Sequence, residues 1–378
     1  MGSGETSPTM VTPHQRLLAP FKDSKRTILE TPYGFQENAH ELTERIQRYF
    51  QESVGYSTTV AQLRTSEQSP REVAEAISEI TTADWVFTGP GSPTYALQVW
   101  KESGAESALR NLLGRGTLVV SSAAALTVGT HTVPVYEIYK VGQSPQWQMG
   151  LNLLGDATGL KAAVIPHFNN AEGGTHDTRF CYIGERRLSV LESQLPEDVF
   201  ILGIDEHTGV SFEIDSQAAS VFGRGSMTVR MGGQEWRVAS GETVTFSEIA
   251  EHAGTRLTSA PTVSAEQFDV NRVNRLLDSG QVNDAIEALL SLDTVERDID
   301  TRAQIHALVT RLGQLAASPR ISVEEIVSPY IDALLAARQS ARAQGLWSEA
   351  DAIRDKLIEL KVVIKDSPEG STWEIKQS

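Results

Sequence analysis

The sequence predicts an α/β protein: a parallel sheet flanked by helices, appended β-hairpins, and an α-helical C-terminal domain. Three observations carry this. Short apolar runs alternate with amphipathic segments from residue 1 to about 215, short alternating stretches with Gly-rich turns fill 209 to about 250, and helical periodicity dominates the rest. A chain of 378 residues has room for two or three domains. The expected divisions are an α/β domain over 1–252, a small polar Pro-containing linker over 253–264, and a helical domain over 265–378.

The near-continuous apolar runs Arg26–Leu29, Thr58–Leu63, Asp84–Thr88, Thr117–Ser121, Ala162–Pro166 and Val199–Ile204 read as buried parallel strands. Between them, Gln36–Ser53, Pro70–Thr81, Pro93–Leu113 and Thr178–Leu195 read as helices. In such sheets chemistry gathers at the C-terminal ends of the strands. Val210–Ile214, Ala218–Phe222, Met227–Met231, Glu235–Val238 and Thr243–Phe246 alternate and are punctuated by glycine, so they read as antiparallel hairpins on the sheet edge. Beyond the linker, Leu276, Leu277, Ala285, Ile286, Leu289 and Leu290 recur at helical spacing, as do Ile305, Leu308, Val309 and Leu312. Ser328–Lys361 reads as a helical hairpin turning near Gly345, followed by a strand pair, Val362–Lys365 and Thr372–Ile375, around Pro368-Glu-Gly370.

Composition narrows the function. The 33 Lys and Arg against 49 Asp and Glu leave a net charge of −16, which excludes a protein whose whole surface grips nucleic acid or anionic lipid and leaves room only for a local basic patch. A lone cysteine, Cys181, excludes an internal disulfide framework and a thiolate-rich metal site. The longest uncharged stretch, Gly116–Tyr136, is interrupted by Ser, Thr, His and Pro and is too polar for a bilayer core. No basic region precedes an apolar one at the N-terminus. The expectation is a cytoplasmic protein that engages no membrane.

The strongest local signal is Thr117-Leu-Val-Val-Ser-Ser-Ala-Ala-Ala-Leu-Thr-Val-Gly129, an apolar strand running into Ser122 and then a helix of tiny residues. A nucleophile elbow needs this junction: the hydroxyl is lifted above the sheet and the next backbone N–H faces a developing oxyanion. The same pattern also suits a serine that merely caps a helix. His176 and Asp177 lie near His167 without the spacing that converges metal ligands, so no metal and no cofactor are expected. Cys181, in Phe180-Cys-Tyr-Ile183, reads as a buried small hydrophobe. Gly89-Pro-Gly-Ser92 lacks the Gly-Lys-Ser/Thr ending of a phosphate loop.

Four motifs in order, Phe87-Thr-Gly-Pro-Gly-Ser-Pro-Thr-Tyr-Ala-Leu97, the Ser122 junction, Ile165-Pro-His-Phe168 and Gly203-Ile-Asp-Glu-His-Thr-Gly209, resemble the dipeptidase E and cyanophycinase family of serine peptidases, whose fold is similar to class I glutamine amidotransferases. The resemblance covers residues 1 to about 250. It implies Ser122 as nucleophile, His167 as general base and Glu206 as the acid that orients it. It also implies an oxyanion and substrate pocket involving Gly91, Ala123 and Arg179, with His207 beside the acid. A serine hydroxyl is a weak nucleophile, so it needs a base, and the base needs a third group to hold its tautomer. The implied substrate is a small peptide or amide, aspartyl substrates among them.

Two departures stand out. The family elbow is Gly-x-Ser-x-Gly, whereas this chain carries Val120 and Ala124 at the flanks; a β-branched residue is bulky for a sharp turn. The second reading is therefore a catalytically degenerate ligand- or tRNA-binding protein on the same scaffold. Met1-Gly-Ser-Gly-Glu5 resembles the loop after the family's first strand, yet no strand precedes it here. The expectation is a start that lies upstream, or else a sheet without one central strand.

Ala336 to Leu357, continuing through Val363 to Trp373, resembles the C-terminus of cysteinyl-tRNA synthetase, the helical tRNA-binding part of that family. No HIGH-type or KMSKS-type motif accompanies it, so aminoacylation is not expected. Residues 321–378 carry 7 Lys or Arg against 10 Asp or Glu, a net of −3, so any RNA surface must be local. Arg338, Arg342, Trp347, Arg354 and Lys356 are the candidate RNA-binding residues, with Lys361 on the same face by spacing and Trp373 a second stacking platform. The alternative use of this tail is packing or homodimerisation.

Overall fold

The computed structural model describes residues 1–21, 24–258, 270–282, 284–285, 288, 299–317, 323–367 and 370–375. It divides into two compact units, Met1–Gly313 and Gln314–Ser378. Part of the expected linker, residues 259–264, lies outside the described residues, as do Ile286, Leu289, Leu290, Pro368 and Glu369.

In the first unit, β1 (Arg26–Leu29), β2 (Thr59–Ala61), β3 (Trp85–Thr88) and β4 (Thr117–Val120) form an all-parallel sheet in the order β2-β1-β3-β4. β3 pairs in register with β4 from Trp85 opposite Thr117 to Thr88 opposite Val120. All four residues of β3 are buried, as a strand covered on both faces requires. A two-residue ribbon, β5 (His131–Thr132) and β6 (Gln148–Met149), lies between this sheet and β7 (Ala162–Ile165) in the sequence. β7 runs parallel to β8 (Phe200–Ile204). The rest is antiparallel: β9 (Thr208–Glu213), β10 (Ala218–Gly223), β11 (Ser226–Met231), β12 (Gln234–Ala239) and β13 (Thr243–Thr245).

The five hairpin strands appear where the alternation predicts them, but not all on the sheet edge. β11 and β12 extend β8, giving the order β12-β11-β8-β7. β9, β10 and β13 form a separate sheet, ordered β13-β10-β9.

Three predicted helices are shorter than their periodicity suggests. Gln36–Ser53 is helical over Ala39–Arg48, then widens over Tyr49–Val54 and stops at Gly55, whose φ is +95°. Pro93–Leu113 breaks at Gly104, whose φ of +80° is left-handed, into helices Pro93–Ser103 and Ala105–Leu113. Thr178–Leu195 is helical only over Glu185–Glu192, because the Asp177 carboxylate accepts the Glu185 amide and starts the helix there.

The sheets pack through apolar layers. Trp85, Phe87, Phe50 and Ile28 are fully buried on one side of the first sheet, and Leu29, Val86, Leu97 and Trp100 on the other. Burying each such large side chain contributes roughly 1.5–3 kcal/mol. A capping box at Ser69 and Glu72 starts the flanking helix Pro70–Thr81.

In the second unit, helices Val323–Ala343 and Trp347–Glu359 pack against each other through a turn at Gly345 (φ +71°). β14 (Val362–Ser367) and β15 (Gly370–Ile375) pair antiparallel behind them. Ile331, Leu335, Leu357 and Val362 form its core, with Trp373 packed on it and donating its indole N–H to Asp332 at 2.8 Å.

Candidate active site

The site forms where β4, β7 and β8 end. β4 delivers the chain to Ser122, whose φ of 50° and ψ of −119° are strained for an L-residue, and the helix Ala123–Thr127 leaves at once. Val120 does not prevent the turn: it is the last residue of the strand, opposite Thr88, and packs half-buried between two core clusters. Ala124 is fully buried. Ser121 is tied down beneath, its hydroxyl donating to Glu5 at 2.8 Å.

His167 follows β7 and also has a positive φ, 50°. It is held from below by a tight left-handed run in which Phe180, Cys181 and Tyr182 all have positive φ. The Phe180 amide donates to the Phe168 carbonyl at 3.0 Å and the Cys181 amide to the His167 carbonyl at 3.1 Å. The predicted helix over these residues is therefore replaced by a turn that shapes the histidine's seat. Glu206 follows β8, and its amide donates to the Asn169 side chain at 2.8 Å.

These three loops bring Ser122, His167 and Glu206 together. A carboxylate can only accept, so His167 Nδ1–H donates to Glu206 Oε1 at 2.9 Å. In the neutral ring this leaves Nε2 as the acceptor, 3.0 Å from Ser122 Oγ. The His167 and Glu206 side chains are 17% and 27% exposed, enough to meet a substrate and enough removed from water to keep the chain of hydrogen bonds directional.

The N-terminal loop buttresses the acid. Gly2 donates to the Thr208 carbonyl at 2.8 Å, and a Cβ at Gly2 would lie 2.0 Å from the Asp205 carbonyl oxygen. The His207 ring turns away from the relay towards this loop, with Nδ1 3.4 Å from Ser7 Oγ.

Gly91 has a φ of +141°, and a Cβ there would lie 1.9 Å from the Pro32 carbonyl oxygen, so only glycine fits. Among the described residues, neither the Gly91 nor the Ala123 amide donates to another protein group.

Arg179 is placed differently from the expectation. It is half exposed and bound by two hydrogen bonds of 2.9 Å to Asp177, with Glu185 at 3.7 Å, and makes none to Ser122, His167 or Glu206. Arg179 in turn holds the Asp177 carboxyl well below the usual carboxylate range. Asp177 is therefore engaged, while His176 stacks on Tyr139. Cys181 is buried, and burial pushes its thiol up to about 12.

Two contributors were not among the residues the sequence singled out. Asn170, fully buried, donates to Glu206 Oε1 at 3.2 Å. Tyr182 lies beside the His167 ring with its hydroxyl donating to Glu172 at 2.6 Å, and that bond, with burial, pushes the phenol up to about 12. The asparagines directly follow the His167-Phe168 pair, and proximity in sequence to the base was the available clue.

The family model for Peptidase family S51 matches residues 1–218, more than half of the chain. The chain belongs to peptidase family S51. The fold of this S51 chain is similar to that of a crystal structure described as a peptidase from an acI-B1 Actinobacterium, at 20% identity and a TM-score of 0.51, covering 65% of this chain and 94% of that one. A second model, the cysteinyl-tRNA ligase anticodon binding domain, matches residues 327–373. The cysteine–tRNA ligase of Delftia acidovorans is 39% identical over 82 residues, 21% of this chain and 18% of that protein. That of Afipia carboxidovorans is 56% identical over 45 residues, 12% and 10% of the two chains. The S51 chain thus spans a fifth or less of these two curated relatives.

In the second unit the candidate RNA residues separate. Arg342, Trp347, Arg354, Lys356 and Lys361 are exposed. Lys356 is paired with Glu359 at 2.8 Å. Arg338 is 5% exposed and is not part of any outer face, because it continues the inward stripe of Ile331, Leu335 and Ala341. Trp373 is half-buried against this core, with its indole N–H held by Asp332. No helix among the described residues is long and apolar enough to cross a membrane.

Proposed function

We propose that the chain is a serine hydrolase that cleaves an amide or small peptide through an acyl-enzyme on Ser122. The observation that carries this reading is the continuous relay from Ser122 Oγ through His167 to Glu206, at 3.0 and 2.9 Å. His167 Nε2 takes the hydroxyl proton as Oγ attacks the carbonyl carbon, then returns it to the leaving amine. Glu206, steadied by Asn170, holds the tautomer and stabilises the imidazolium. The Gly91 and Ala123 amides are the donors available to the tetrahedral oxyanion. Water, activated by the same histidine, releases the acid.

The second unit is the candidate tRNA-binding part, with Arg342, Trp347 and Arg354 as its contacts. A substrate linked to tRNA, such as an aminoacyl or peptidyl ester, would make the two units one enzyme. The test is hydrolysis of a pool of aspartyl dipeptides, β-aspartyl peptides and aminoacyl-tRNA, read by mass spectrometry, with wild type and Ser122→Ala side by side. Turnover that disappears in the variant supports the reading, and the consumed species gives the substrate class. No turnover by either folded protein supports the binding-protein alternative.

A further inference from the structure

Beside the Gly91 corner the first unit holds a cavity of about 740 Å3, within the size range of small-molecule sites. Ser92, the residue after Gly91, forms part of its wall, with its hydroxyl 3.0 Å from that of Thr94. The rest of the wall comes from the helices Pro93–Ser103 and Val135–Tyr139, from Phe35 and from β6.

The polar side of this wall is incomplete. Glu137 Oε1 accepts the Thr94 hydroxyl at 2.8 Å, whereas Oε2 is shut off from solvent and has no hydrogen-bond donor among the described residues. A buried carboxylate oxygen without a donor costs free energy that a ligand N–H would recover. The last torsion of a glutamate is soft, so a small turn brings Oε2 to such a donor. The rim is apolar: Phe35 is 51% and Met149 65% exposed, and Tyr136 stands with them. Phe35 meets Tyr95 edge-on at 5.2 Å, and Tyr95 is fixed by its hydroxyl donating to the Arg64 carbonyl at 2.7 Å. Exposed apolar clusters of this kind mark binding surfaces.

Charge decides among ligands. The one carboxylate, Glu137, stands against two ammonium groups. Lys101 also lines the cavity, its Nζ donating to the Met149 carbonyl at 2.9 Å, and Lys140 Nζ lies 4.9 Å from the centre of the Tyr136 ring. Such a site does not select a cation. It suits a neutral, flat group with apolar faces and N–H donors on its edge, which describes an amino-bearing nucleobase.

We propose that this cavity seats the base of a nucleoside whose ribose hydroxyl carries the acyl group, with the base stacked on Phe35 and its exocyclic amino group donating to Glu137. The inference rests on the serine hydrolase reading and narrows it to the tRNA-linked ester named there. Ser122 Oγ attacks the acyl carbon, the ester C–O bond breaks, and His167 returns the hydroxyl proton to the ribose oxygen. Water then releases the acid and restores the Ser122 hydroxyl. The nucleoside departs from beside Gly91, one residue from the cavity wall.

The test is calorimetric binding of three probes, adenosine, inosine and arginine amide, to the full chain as wild type and as Ser122→Ala. Inosine has a carbonyl where adenosine has its amino group. Adenosine should bind both proteins about tenfold more tightly than inosine. Glu137→Gln should bring the two within about twofold, and Phe35→Ala should weaken both about five- to tenfold with their ratio kept. No saturable adenosine binding, equal affinities in the wild type, or a ratio unmoved by Glu137→Gln would overturn the proposal. So would arginine amide that competes with adenosine and binds more tightly, which would assign the cavity to a cation. Binding to Ser122→Ala needs no turnover, so the two readings fail separately. Absent turnover with the adenosine preference intact sinks the hydrolase alone, and Ser122-dependent turnover without that preference sinks the nucleoside site alone.

Discussion

The Ser122 corner and the C-terminal helical hairpin place their candidate functional groups by opposite means. At the corner, backbone does the placing: Ser122 and His167 both sit at a φ of 50° and Gly91 at +141°, conformations that few residues tolerate. In the hairpin, Arg342, Trp347 and Arg354 ride on regular helices that almost any polar residue could occupy. A perturbation at the corner should therefore cost decades in rate, and one on the hairpin should cost small factors in affinity.

The largest effect belongs to Ser122→Ala. Removing the nucleophile should lower kcat/KM by about 10⁴-fold or more while Tm stays within about 2 °C, because the backbone, not the hydroxyl, makes the corner. Residual turnover at wild-type level in the purified variant would move the chemistry elsewhere. Gly91→Ala comes next. Its methyl would collide with the Pro32 carbonyl, and the strain at a φ of +141° costs about 1–3 kcal/mol. The loop must move, so activity should fall about 10²–10³-fold, as loss of one oxyanion donor does. An unchanged kcat would show that Gly91 serves packing alone.

The third effect is on stability. His14 is buried against Phe50 and Tyr49, and desolvation lowers its pKa from 6.5 to about 4. The unfolded chain therefore binds a proton that the folded chain refuses, and stability falls as pH drops from about 6.5 towards 4. The full loss is about 3 kcal/mol. Denaturant titrations at pH 7 and 5 should show the loss, and His14→Gln should shrink it. A pH-independent difference between the two proteins would break this assignment.

The same contrast governs what the sequence disclosed. Buried parallel strands such as Trp85–Thr88 and Phe200–Ile204 announce themselves as unbroken apolar runs. Ser122, His167 and Glu206 stand in motifs that resemble a known family, and the left-handed φ at Ser122 and His167 is part of what makes those stretches distinctive. The break at Gly104 was hidden, since helical periodicity continues on both sides of a single left-handed residue. The turn at Phe180–Tyr182 was hidden because its reason is tertiary: its amides bond the carbonyls of His167 and Phe168. Asn169 and Asn170 reach Glu206 across a loop, which no local pattern encodes.

Arg338 and Arg342 give the finest comparison, within one helix. Spacing alone placed both on a cationic face, yet Arg338 is buried in the stripe of Ile331 and Leu335 while Arg342 is exposed. If the hairpin binds tRNA through its outer face, Arg342→Ala should weaken binding about two- to fivefold and reduce the salt dependence by about one ion, with Tm unchanged. Arg338→Met should leave RNA affinity untouched, because a guanidinium that does not reach solvent cannot displace counterions from phosphate. Filter binding at two salt concentrations separates these outcomes. Equal losses from both variants would mean that the helix opens on RNA, and no loss from Arg342→Ala would point the hairpin towards packing instead.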